Sequence, residues 1–282
     1  MKMSQSQYEK QYITNLRNIL NNGAEDLNTR TGKITRRLPA TAITVDLEKE
    51  LPILLSKKVN WKVAVDEVFW IFQKQSNNVN DLNSRIWDSW ADEEGSIGTT
   101  YGYQVGRVVH AKRGKYLGYF TSQVHYVLET LAEDPSSRQA VIDMWDPWDL
   151  AEMALPPCVY SSVWSIIEGR LNCMVVQRSC DYPVGVPFDT FEYAVLTHLF
   201  ARHLGVRPGI LTHAMADSHI YVDQLVGVKT QIARFDADWA DFAKPGLCFR
   251  EDAPTNFWEV KPGDLMVRDY GPMDPIKFNV AV

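Results

Sequence analysis

The sequence predicts a mixed α+β fold: one domain, residues 1–282, built around a sizeable sheet. Three observations carry this. Apolar residues recur at helical spacing in separate segments, a hairpin pattern occupies the middle of the chain, and no low-complexity linker or repeat divides it. The composition, 45% apolar and 23% charged, suits a globular chain that buries its core without metals or disulfides.

The elements follow in order. Tyr8, Tyr12, Leu16, Ile19 and Leu20 keep helical spacing, and Asn22-Gly23 closes that helix. Residues 61–75 read as a second helix, with Val65, Val68, Phe69 and Phe72 on the apolar face beside the acidic pair Asp66-Glu67. A third helix is expected over residues 115–132. Val159 to Ile167 alternates as a strand, Glu168-Gly169 turns, and Leu171 to Arg178 returns as an apolar strand. Phe191, Val195 and Leu199 mark a helix over 190–204 that stops at Gly205, and Asp189-Thr190-Phe191-Glu192 has the form of a capping box at its start. Arg207-Pro208-Gly209 is expected to turn the chain ahead of a strand from Ile210 to Ala216.

The formal charge of −6 speaks against a broad basic face for nucleic acid, while a few converging arginines suffice for one phosphate. Cys158, Cys173, Cys180 and Cys248 lack C-x-x-C spacing, so neither a disulfide framework nor any metal is expected. No run has the length of a membrane span and the first residues lack the apolar core of a signal peptide, which makes the cytoplasm the expected compartment.

Cys158 follows Leu155-Pro156-Pro157, two prolines that stiffen the entrance of a strand and remove backbone donors. Further along stand Gln177-Arg178-Ser179-Cys180-Asp181, Gly185-Val186-Pro187-Phe188-Asp189 and His219-Ile220-Tyr221. Upstream are Arg30-Thr31-Gly32, Glu67, Ile86-Trp87-Asp88-Ser89-Trp90 and Tyr101-Gly102, and the chain closes on Ile276 to Val282. In kind and order these segments resemble the thymidylate synthase family, from about Asn28 to Val282.

The resemblance implies an α+β thymidylate synthase-like fold whose mixed sheet forms a dimer interface, and a pyrimidine deoxynucleoside monophosphate as substrate. It makes Cys158 the nucleophile at C6 of the ring, with Arg178 favouring the thiolate and binding phosphate. Arg30 and Ser179 would share the phosphate with Arg138 from the second subunit of a homodimer. Glu67 and Tyr101 would serve the proton transfers, and Gln177 and Asp189 the base. His219 and Tyr221 would hold the sugar hydroxyl. The co-substrate would be 5,10-methylenetetrahydrofolate, held by Ile86, Trp87, Trp90, Leu155, Asp181, Gly185, Phe188 and Val282.

Four positions depart from the family pattern. Asp189 replaces an asparagine that reads uracil, Val159 a histidine, Gln139 an arginine, and Asn60 a histidine on the folate side. A carboxylate accepts from the cytosine N4 amino group and pairs with a protonated N3, whereas against uracil O4 it sets lone pair to lone pair. These changes imply the deoxycytidylate hydroxymethylase branch, typical of phages that modify their DNA and then acting in the cytoplasm of a bacterial host. The expected product carries a hydroxymethyl group. Reductive methylation of dCMP or dUMP is the alternative, and a non-catalytic nucleotide- or RNA-binding relative is the reading from another class.

Overall fold

Ser6 accepts the Glu9 backbone N–H and caps α1 (Gln7–Asn22), which buries Tyr8, Tyr12, Ile13, Leu16 and Ile19 along the expected face. The computed structural model describes residues 6–113, 116–237 and 244–280, so Val282 lies outside the described residues. After α1 come two antiparallel strands, β1 (Ala24–Asn28) and β2 (Lys33–Asp46). Helix α2 (Trp61–Val68) buries Asp66 and Glu67 with its apolar residues. The expected helix over 61–75 changes pitch beyond it: Phe69–Gln73 form a π turn, in which the Lys74 N–H reaches the Phe69 carbonyl at 2.8 Å.

The short helix α3 (Gly102–Val105) precedes an antiparallel pair, β3 (Val109–Arg113) and β4 (Tyr116–Phe120). The helix expected over 115–132 is thus corrected: α4 runs Gln123–Glu133, fixed by Ser122 accepting from the His125 N–H at 3.1 Å. Tyr116, Tyr119 and Phe120 favour a strand, and the cap sets where the helix can begin.

β5 (Val141–Asp143) leads to the hairpin of β6 (Val159–Ile167) and β7 (Arg170–Gln177). Its turn residues, Glu168 and Gly169, both take left-handed conformations (φ 52° and 68°), the twist that suits a two-residue hairpin. The two-residue β8 (Cys180–Asp181) comes before the central helix α5 (Gly185–Leu204), which packs on α2, β7 and β9 (Arg207–Tyr221). Two expectations fail here. The helix begins at Gly185, because Pro187 lies in the first turn where a missing N–H costs nothing, so Asp189 sits inside the helix and is not its cap. Arg207-Pro208-Gly209 does not turn the chain but opens β9; a Cβ on Gly209 would meet the Leu171 carbonyl at 2.7 Å, so glycine permits this approach.

Strands run β1-β2-β9-β7-β6-β5, with β8 beside β9; β9 pairs parallel with β7 and β8, and the other pairs are antiparallel. Helix α6 (Leu225–Asp236) and the pair β10 (Gly246–Phe249) and β11 (Leu265–Arg268) complete the order. One face of the hairpin packs Leu171, Cys173 and Val175 into the core, while the other exposes Val163 opposite Met174, and Ile167 nearby. No described helix is long and apolar enough to cross a membrane.

Candidate active site

The C-terminal end of β7, the start of α5 and the turn between β1 and β2 converge on a cleft of about 360 Å³. Cys158, half-buried, stands one residue before β6. Its N–H donates to the Tyr101 hydroxyl at 3.0 Å, and its carbonyl accepts the Arg178 N–H at 2.8 Å. The Arg178 side chain donates from Nε to the Pro157 carbonyl (2.9 Å) and from Nη2 to the Pro156 carbonyl (2.8 Å), and its guanidinium lies 5.3 Å from the Trp145 ring centroid. The two prolines thus hold the arginine beside the sulfur. Burial pushes the Cys158 thiol up; Arg178, the Tyr101 hydroxyl and Arg30 oppose this, and Asp189 adds to it. The Arg178 charge works toward the thiolate, but burial outweighs it.

A buried relay fixes the wall where Asp189 stands. Gln177 Nε2 donates to Asp189 Oδ2 at 2.8 Å, and Gln177 Oε1 faces His213 Nε2 at 2.8 Å. Burial keeps His213 neutral, lowering it to about 3, so Nε2–H donates to Gln177 and Nδ1 accepts the Thr190 hydroxyl at 2.9 Å. Burial pushes Asp189 up to about 7, against the hydrogen bond from Gln177 and with the Glu67 charge adding to the rise. Glu67 is buried on α2 and accepts Trp87 Nε1–H at 2.6 Å; burial raises it too. Trp87 packs 5.1 Å from the Tyr101 ring and 5.4 Å from Trp90, an aromatic wall beside the sulfur.

At one end of the cleft Arg30 and Ser179 face His219 and Tyr221. Asn28 Oδ1 accepts the N–H groups of Arg30 (3.1 Å) and Thr31 (3.2 Å), a side-chain turn that sets the Arg30 loop. The His219 and Tyr221 rings meet edge to face at 5.3 Å. At the other end Trp90, Leu155, Val184 and Val280 line an apolar slot with Asp181 and Gly185 beside it. Gln224 Nε2 donates to both Asp181 oxygens (3.1 and 3.0 Å) and to the Asn279 carbonyl (3.2 Å), tying the chain's tail to the slot. Burial pushes Asp181 up to about 6.

A family model described as Thymidylate synthase matches residues 10–282. The chain belongs to the thymidylate synthase family. Thymidylate synthase from Clostridium beijerinckii is 39% identical over 280 residues, covering 98% of this chain and 100% of that protein. Thymidylate synthase of Bacillus phage phi3T is 35% identical over 288 residues, covering 98% and 100%. Thermostable thymidylate synthase A from Bacillus subtilis superposes with a TM-score of 0.87 at 34% identity, covering 98% of this chain and 100% of that one. The α+β thymidylate synthase-like fold implied by the motifs is therefore the observed one.

Most of the thymidylate synthase motifs meet in the cleft, with five exceptions among the described residues. Glu67, buried on α2, does not line it. Trp87 is buried behind Trp90 and Tyr101, Ile86 is exposed outside the lining, and Phe188 packs on the core. Arg138 is exposed ahead of β5 and does not line the cleft of its own chain. Sequence reasoning missed His213, Gln224 and Trp145. Their types carry no motif, and only the strand register and tail docking bring them near.

Proposed function

We propose that this chain transfers a one-carbon unit from 5,10-methylenetetrahydrofolate to C5 of dCMP, with a methyl group as the product. The observation that supports cytosine is Asp189: a carboxyl on the cleft wall, held by the Gln177 amide, where a cap was the competing role. With a raised affinity for its proton, it donates to cytosine N3 and accepts from the N4 amino group, then passes the proton to N3 as the thiolate adds. Once ionised, the carboxylate would meet uracil O4 lone pair to lone pair, a contact costing about 1–3 kcal/mol, or roughly ten- to a hundredfold in preference.

Arg30, Arg178 and Ser179 bind the phosphate, and His219 and Tyr221 the sugar. Cys158 is the nucleophile: its thiol loses its proton with Arg178 offsetting the charge, the sulfur bonds to C6, and the electron pair of the C5–C6 double bond moves to C5, which becomes reactive. Glu67, with Tyr101 beside Cys158, serves the C5 proton. The slot of Trp90, Leu155, Val184 and Val280 suits a flat heteroaromatic ring, and the Asp181 carboxylate suits its N–H donors. The folate supplies the one-carbon unit and, for a methyl product, a hydride.

Methyl is favoured over the hydroxymethyl product expected from the sequence by the packed rings of Trp87, Trp90 and Tyr101, which would limit the access of the water that hydration needs. The relatives named thymidylate synthase support the same outcome. A homodimer through the exposed hairpin face would bring the partner's phosphate-binding arginine to each site. Mass spectrometry of the product formed from dCMP and from dUMP tests this: methylated dCMP is expected. Hydroxymethylated dCMP would overturn the product, and turnover of dUMP alone would overturn the base.

A further inference from the structure

Glu192 lies one helical turn beyond Asp189 on α5, is buried, and has an oxygen, Oε1, with no hydrogen-bond donor in reach. Its carboxyl is paired with that of Glu67, across the contact between α5 and α2. Two carboxylates are acceptors only, so such a pair forms a hydrogen bond only when one of them carries a proton. The surroundings decide which. Glu67 already accepts from Trp87 at 2.6 Å, a bond that favours its charge, while the charges that act on Glu192 are those of Glu67 and Asp189, both acidic.

Of the remaining groups, Asp66 works against the charge on Glu67, and two neutral tyrosines favour neither carboxyl. Asp66, next to Glu67 on α2, is held by the Asn83 backbone N–H at 2.8 Å and Nδ2 at 2.7 Å, and its charge raises Glu67. The Tyr101 and Tyr193 hydroxyls stand nearby and stay neutral, raised first by burial. Burial pushes Glu192 well above the usual carboxylate range, with Glu67 and Asp189 adding to the rise; for Glu67 the hydrogen bond from Glu192 works downward, against burial.

We propose that Glu192 is a positioning residue for the reaction: it carries a proton and donates it in a hydrogen bond to Glu67, which keeps Glu67 ionised and able to accept the proton from C5. A capping role, the meaning its sequence context suggests, is absent because Glu192 lies in the interior of the helix. The inference rests on the reading of Glu67 as the proton-transfer residue, and its test separates the two.

The experiment compares wild type, Glu192→Gln and Glu192→Leu by the pH dependence of kcat with dCMP and methylenetetrahydrofolate. Leu removes the donor, so the acid limb, where Glu67 must be ionised, moves up by about one pH unit or more. Gln keeps an N–H donor toward Glu67 and leaves the limb near its wild-type position. A limb unmoved in Leu, or moved equally in both variants, would overturn the role. The second measurement needs no activity: the infrared difference spectrum of wild type minus Glu192→Gln at neutral pH. A carbonyl stretch of a protonated carboxylic acid is expected, and only carboxylate bands would overturn the proposal even if Leu fails to fold. Glu67→Gln retaining activity would instead sink the reading of Glu67, while the infrared band would still report Glu192.

Discussion

Asp189 is a titrating residue because burial and Glu67 oppose its charge while only Gln177 supports it. Its folded value of about 7 lies above the unfolded carboxylate value of about 3.9. Stability from the neutral form is fully present below the unfolded value and is lost as pH rises through about 7. Asparagine does not titrate, so the melting temperature of Asp189→Asn should gain on wild type between about pH 5 and about pH 8. Thermal unfolding across that range checks this, and a constant difference would speak against a neutral Asp189. The Asp189 charge also holds the Cys158 thiol up, so Asp189→Asn should alkylate faster with iodoacetamide at neutral pH. Cys158→Ala should lose both the labelling at this position and turnover, to below about a thousandth of wild type, while nucleotide binding persists. Faster turnover than that floor would remove Cys158 from the mechanism.

Among the elements, the segment before α3 shows how backbone geometry places a side chain. Tyr101 has φ 40°, between Gly98 and Gly102. A Cβ on Gly98 would lie 1.9 Å from the Glu152 carbonyl, and one on Gly102 2.0 Å from the Ser76 carbonyl. Gly98→Ala or Gly102→Ala should therefore destabilise by about 1–3 kcal/mol and displace the Tyr101 hydroxyl from the Cys158 N–H. Urea unfolding and kcat should fall together; a stable variant with an intact rate would contradict this positioning. Such constraints were illegible in the sequence, whereas α1 and the β6–β7 hairpin were legible because periodicity and turn residues agreed. Pro187 starts a helix ahead of the expected residue 190, and Pro208 opens a strand where a turn was expected. The apolar residues of 116–120 fit a helical spacing as well as a strand, so only Ser122 distinguished them. Motif order grouped Cys158, Arg178 and Asp189, and the fold brings them to one cleft. Glu192 was not legible, because Asp189-Thr190-Phe191-Glu192 matches a capping box whose helix has already begun.

In the whole molecule, Val163, Met174 and Ile167 leave an apolar sheet face exposed, and Arg138 stands away from the cleft of its own chain. A homodimer through this face would cover the first and use the second. Mixing inactive Cys158→Ala and Arg138→Ala proteins after subunit exchange should then restore activity, toward about a quarter of wild type, since each heterodimer regains one intact site. No recovery on exchange would mean that each chain binds phosphate alone. The central claim is that the cleft reads cytosine through Asp189. It is tested most directly by the ratio of kcat/KM for dCMP to that for dUMP, measured in competition with methylenetetrahydrofolate. Wild type should prefer dCMP by at least about tenfold, and Asp189→Asn should reverse or erase that preference. A wild-type preference for dUMP, or a ratio unchanged by Asp189→Asn, would contradict the account.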